Sequence, residues 1–110
     1  MAHDKGLADR LRRALPQGAE ISERRMFGGI AFMVRGNMCC GVTKQGLLML
    51  RLGEEAAAAA LARPHARPMD FTGRPMKSMI FVDAAGVDSD EALRAWVAEA
   101  LAFARTLQPK

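Results

Sequence analysis

The stretch Ile30-Ala31-Phe32-Met33-Val34-Arg35-Gly36-Asn37-Met38-Cys39-Cys40-Gly41-Val42-Thr43 decides the fold. Two apolar runs, each too short for a helix, flank a Gly-Asn pair. Such a pair is a turn signal between antiparallel strands. Taking Gly36-Asn37 as the turn sets Arg35 opposite Met38, Val34 opposite Cys39 and Met33 opposite Cys40. Downstream, Lys44 to Gly46 reads as a short loop before the strand Leu47 to Leu52. That loop sets Val42 opposite Leu48 and Cys40 opposite Leu50. One face then carries Ala31, Met33, Met38, Cys40, Val42, Leu48, Leu50 and Leu52. The other carries Ile30, Phe32, Val34, Cys39, Leu47 and Met49. Both faces are apolar, so helices or a partner subunit are expected to cover part of each.

Upstream, Ile21 to Phe27 reads as another strand, joined through Gly28-Gly29. That pair is expected to form a bulge or sharp bend, or to let another backbone approach closely. Asp4 to Leu15 places Leu7, Leu11, Ala14 and Leu15 at helical spacing, and Pro16 and Gly18 end that helix. Glu54 to Arg63 is an alanine-rich helix stopped by Pro64. From Pro64 to Lys77 the prolines and Gly73 predict an irregular link, with Met69 and Phe71 as inward anchors on a short edge strand. A strand, Ser78 to Asp83, follows. The last helix is amphipathic, with Leu93, Trp96, Val97, Ala100, Leu101, Ala104 and Leu107 on one side. Asp88 and Glu91 suit its capping box, and it is expected to run to Leu107. Strands come consecutively between helices, which predicts an α+β domain over residues 1–110: an antiparallel meander flanked by an N-terminal, a middle and a C-terminal helix.

Composition narrows the function. The chain has 110 residues, 50% hydrophobic and 25% charged, which suits one folded core. Adjacent Cys39 and Cys40 are expected to point to opposite strand faces, which disfavours a disulfide between them and shared metal binding. With no apolar leader segment and no long apolar run, a cytoplasmic protein without membrane association is expected. The 2 histidines, His3 and His65, lie in a terminus and a loop, and offer no nucleophile–base pairing beyond a remote Cys39/His65 match. The 8 methionines fall at core-like positions and read as packing, not as Cu(I) ligands. No cofactor and no metal is expected. Glu54 and Glu55, like Asp88, Asp90 and Glu91, sit where helix starts favour acids.

The formal charge of +4 allows an anionic partner. Arg10, Arg12, Arg13, Arg24 and Arg25, with Lys44, form a basic stripe if the first helix lies near the first strand. Few aromatics (5%) leave little for stacking on bases, so a solvated basic face is the favoured reading.

Arg25-Met26-Phe27-Gly28-Gly29-Ile30-Ala31-Phe32, followed by Gly36-Asn37-Met38, resembles the signature of the TfoX N-terminal domain family. Leu48-Met49-Leu50-Arg51-Leu52, Pro68-Met69-Asp70-Phe71 and the Trp96 helix extend the likeness over nearly the whole chain. That family includes regulators of bacterial natural competence, whose full-length forms carry a second domain. The resemblance implies a compact helix-flanked antiparallel sheet; it does not imply an enzyme. Met26, Phe27, Gly28, Gly29 and Gly36 are read as architectural: two anchors, and glycines at the bends. The expectation is a non-enzymatic, homodimeric regulatory domain that binds an unidentified protein partner. The alternatives are a nucleic-acid-associated regulator using the arginines, and a thiol-based activity at Cys39 or Cys40.

Overall fold

The computed structural model describes residues 5–16, 18, 20–26, 28–44, 46–71 and 74–109, without the side chains at 5, 26, 69–71 and 74–76. The chain runs α1 (Lys5–Ala14), β1 (Ile21–Met26), β2 (Gly29–Val34), β3 (Asn37–Val42), β4 (Leu48–Arg51), α2 (Glu54–Ala60), β5 (Ala66–Phe71), β6 (Arg74–Val82), a 3-10 turn (Ala84–Val87) and α3 (Asp90–Ala104). The six strands form one antiparallel sheet in the order β1-β2-β3-β4-β6-β5. The α+β architecture with three helices and an antiparallel sheet is therefore the expected one; the meander runs through β4, after which β6 pairs with β4 and β5 takes the edge.

The β3–β4 register is also as expected, with Cys40 opposite Leu50 and Val42 opposite Leu48. The β2–β3 register is not. The turn residues are Arg35 and Gly36, at φ 52° and 87°, and Val34 pairs with Asn37. Positive φ at both central positions matches the strand twist of a two-residue hairpin, and glycine takes the second position without strain. Further along, Met33 pairs with Met38 but Phe32 pairs with Cys40. Cys39 is thus the extra residue of a β-bulge. The one-residue difference exchanges the β2 side chains between faces. Ile30, Phe32 and Val34 join Cys40, Val42, Leu48, Leu50, Ile80 and Val82 in the main core.

All three helices contribute to that same core, through Leu7, Leu11 and Leu15, through Ala57 and Ala60, and through Leu93, Trp96, Val97, Ala100 and Ala104. Helix coverage is therefore one-sided. The opposite face forms a separate cluster of buried Met49 and Met79 with half-buried Met38 and Phe81.

The stretch read as an irregular link is a hairpin of β5 and β6. Its prolines fit because neither breaks a central ladder. Pro68 lies on the edge strand, and Pro75 lies on the part of β6 beyond β4, whose pairing spans only Met79 to Val82. The last helix starts later than expected: Ser89 caps it, its Oγ accepting from the Ala92 N–H at 3.0 Å, in place of the Asp88/Glu91 box. It stops at Ala104, and Arg105 to Leu107 close it in a turn. The middle helix likewise ends at Ala60, with a turn carrying the chain to Arg63.

At the Gly28-Gly29 pair, Gly28 has φ 77° and Gly29 opens β2 against the β3 backbone. The close approach expected there is what the structure has. The anchor roles expected of Met26, Phe27, Met69 and Phe71 fall on side chains outside the described residues, as does His3.

Candidate functional site

Bulging at Cys39 has a chemical consequence. Strand alternation predicts diverging thiols; the extra residue turns both into the helix-side core, each fully buried. The two thiols act on one another: the neighbouring Cys39 thiol, together with burial, pushes the Cys40 thiol well above the ordinary range. The Cys40 thiol in turn lowers Cys39, assisted by the charge of Arg105. Burial alone makes neither thiol a surface nucleophile.

Around this pair the structure assembles polar groups from distant parts of the chain. Arg105 Nη2 donates to Glu20 Oε2 at 2.8 Å, and Arg35 Nε approaches Glu20 Oε1 at 3.4 Å. Glu20 is held below the usual carboxylate range, chiefly by the Arg105 hydrogen bond. Asn37, buried on β3, donates from Nδ2 to the Gln108 carbonyl at 2.8 Å. The turn after α3 is thereby tied to the β2–β3 hairpin. Sequence reading missed this group because its partners lie up to 85 residues apart. The one local hint was a polar Asn37 inside an apolar run.

Of the arginines expected to form a stripe, two are engaged. Arg10 donates to Asp90 Oδ1 at 3.0 Å and to the Val87 carbonyl at 2.7 Å. Arg12 grips Glu23 with two hydrogen bonds of 2.7 and 2.9 Å and also meets Asp9. Those bonds hold Glu23 below the usual carboxylate range. Arg13, Arg24 and Arg25 are exposed, with no ion pair among the described residues. They do not share one face. Arg13 lies on α1, lining a small groove with Arg10 and Arg94. Arg24 is opposite Ala31 on the helix-free side, and Arg25 is opposite Ile30 on the helix side.

His65 holds a left-handed backbone, φ 71°, at the start of β5. Its Nδ1 lies 3.0 Å from Asp83 Oδ1, and Arg67 reaches Asp83 Oδ2 at 3.3 Å. His65 is far from being a partner for Cys39, which is enclosed in the core. Beside it a shallow groove of about 340 Å³ runs past Arg63, Ala92, Ala95 and Trp96. Arg63 lies over the Trp96 ring at 4.6 Å and binds Glu99 with two hydrogen bonds of 2.7 and 2.9 Å.

The helix-free face of the sheet is the remaining feature. Met33, Met38, Met49, Met79 and Phe81 project there from four neighbouring strands. Met49 lies across Gly41, where an added Cβ would stand 2.8 Å from Met49 Cε. A missing side chain on β3 thus lets a flexible one lie flat. Among the described residues no helix is long and apolar enough to cross a membrane.

Against known families, a model described as the TfoX N-terminal domain matches residues 13–104. No curated protein and no solved structure matches the chain.

Proposed function

The chain belongs to the TfoX N-terminal domain family, and from that membership we propose a non-enzymatic regulatory domain, like that of competence regulators, that acts through protein–protein contact as a homodimer. One observation carries the reading: the sheet face opposite the helices is built of methionines and Phe81. Flexible methionines of this kind adapt their shape to an apposed surface. Methionines meeting their own copies across a two-fold axis would close this cluster. The half-buried Met38 and Phe81 are the groups a second copy would finish burying.

Light scattering across low to high micromolar concentration tests this. A dimer is expected in the native chain, and a monomer in the double variant Met38→Glu/Phe81→Glu with unchanged far-ultraviolet dichroism. A strict monomer at the highest concentration refutes the homodimer.

A second reading has its own support in the exposed Arg13, Arg24 and Arg25, which form no ion pair among the described residues. These would contact phosphates without reading sequence. Anisotropy with labelled duplex DNA at low salt separates the two readings, since the phosphate contribution is largest there. Absence of binding at low salt ends it.

A further inference from the structure

We infer that Cys39 and Cys40 form a two-coordinate site for a soft monovalent cation of the Cu(I) type, set in the helix-side core beneath the turn that follows α3. Strand alternation argued against shared coordination, because adjacent side chains diverge. The bulge removes that objection. Cys39 is the unpaired extra residue, and the two adjacent side chains turn to the same side and enter one core.

The donor set then selects the ion. Thiolates are soft ligands and favour Cu(I). Zinc in a structural site takes four ligands. Among the described residues no group of three or more Cys, His, Asp or Glu side chains is placed to hold a metal. A closed-shell monovalent ion accepts two sulfurs in line. Met49 and Met79 lie in the cluster on the other face of the sheet, so the thioethers are not ligands.

Charge balance supports the same assignment. On binding, two S–H bonds break, two S–Cu bonds form, and two protons leave to solvent. Copper stays monovalent, so the neutral dithiol becomes an anionic unit of charge −1. Arg35 and Arg105 share the single carboxylate of Glu20, and Arg105 acts on Cys39. Arg105 is the guanidinium of that pair that sets positive charge toward Cys39. The way in is the turn after α3. It is held by the Arg105–Glu20 pair and by the Asn37–Gln108 hydrogen bond, and loosening a terminal turn needs no global unfolding.

The test titrates the fully reduced chain, without oxygen, with Cu(I) buffered by bathocuproine disulfonate, while near-ultraviolet dichroism follows tertiary structure. The native chain is expected to withdraw one Cu(I) with the tertiary signal intact. X-ray absorption is expected to show two sulfur ligands. Cys39→Ala and Cys40→Ala should each abolish uptake, and Met49→Leu/Met79→Leu should keep it. Asn37→Ala should speed uptake about tenfold by freeing the turn. Should either cysteine variant fold poorly, the ligand count on the unmodified chain still decides. Copper left with the chelator, uptake only after the tertiary signal is lost, uptake surviving in a folded Cys40→Ala chain, or methionine or histidine in the coordination shell would each overturn the site.

Discussion

Gly29 lies so close to Val42 that a Cβ on it would stand 1.8 Å from the Val42 carbonyl oxygen. Its neighbour Gly28 differs in kind: φ is 77°, and the nearest atom to an added Cβ is Lys44 Cδ at 3.0 Å, the far part of a flexible side chain. Backbone cannot retreat as a lysine can. Gly29→Ala should therefore cost about 3 kcal/mol or more, as overpacking against a fixed wall does. Gly28→Ala should cost about 1–2 kcal/mol for the left-handed backbone alone. Urea denaturation of both variants checks the order; a larger cost at Gly28 contradicts it.

Ser89, not Asp88, satisfies a free N–H at the start of α3. Ser89→Ala should destabilise the chain by about 1 kcal/mol. Asp88→Ala should stay within about 0.5 kcal/mol, because its link to Arg10 uses the backbone carbonyl, which the substitution keeps. Thermal melts of the two variants distinguish the capping roles.

Arg63 joins α3 to the segment after α2 by stacking on Trp96 and pairing with Glu99. The exposed ion pair contributes little alone, and the stack adds roughly as much again, so Arg63→Ala should cost about 1 kcal/mol. Trp96 emission should shift to the red as its covered ring meets water. Arg63→Lys should recover only part of the loss, since an ammonium lacks the planar fork that both grips Glu99 and covers the ring. Fluorescence and melting curves on both variants read this out.

The carboxyl of Glu20 is held down, first by its hydrogen bond from Arg105 and then by the charges of Arg105 and Arg35. A depressed carboxylate adds stability above its unfolded value, near 4.5, and loses it as pH falls through the lower folded value. Native protein and Glu20→Gln should therefore differ in melting temperature at neutral pH. The two should converge as pH drops below about 4.5. A gap that persists at pH 2 would show that the glutamate acts by packing.

Much of the architecture was legible in local pattern. The 3.6-residue spacing of Leu93, Trp96, Val97, Ala100 and Ala104 marked α3, and those residues are its buried ones. The runs of β1 to β4 were found within a residue or two, whereas β5 lay inside the stretch read as a link and β6 begins at Arg74, well before the expected Ser78. The short loop after Val42 left one way to close β3 on β4, and that register holds. Prolines misled between Pro64 and Lys77, because whether a proline is tolerated depends on which strand lies at the edge, and edges are properties of the sheet.

Sequence alone therefore determined the three helices, the strands β1 to β4 and their consecutive antiparallel pairing, because helical period, turn chemistry and glycine requirements act within a few residues; the β5–β6 hairpin and the pairing of β6 with β4 came only with the tertiary structure. Tertiary structure alone decided which face each strand buries. The bulge at Cys39 absorbs one residue, brings two thiols together that alternation would separate, and moves Phe32 into the core in place of Met33. It also decided that all helices choose one side, which leaves the methionines on the other. Both outcomes depend on packing between segments far apart in the chain, and no local pattern encodes that.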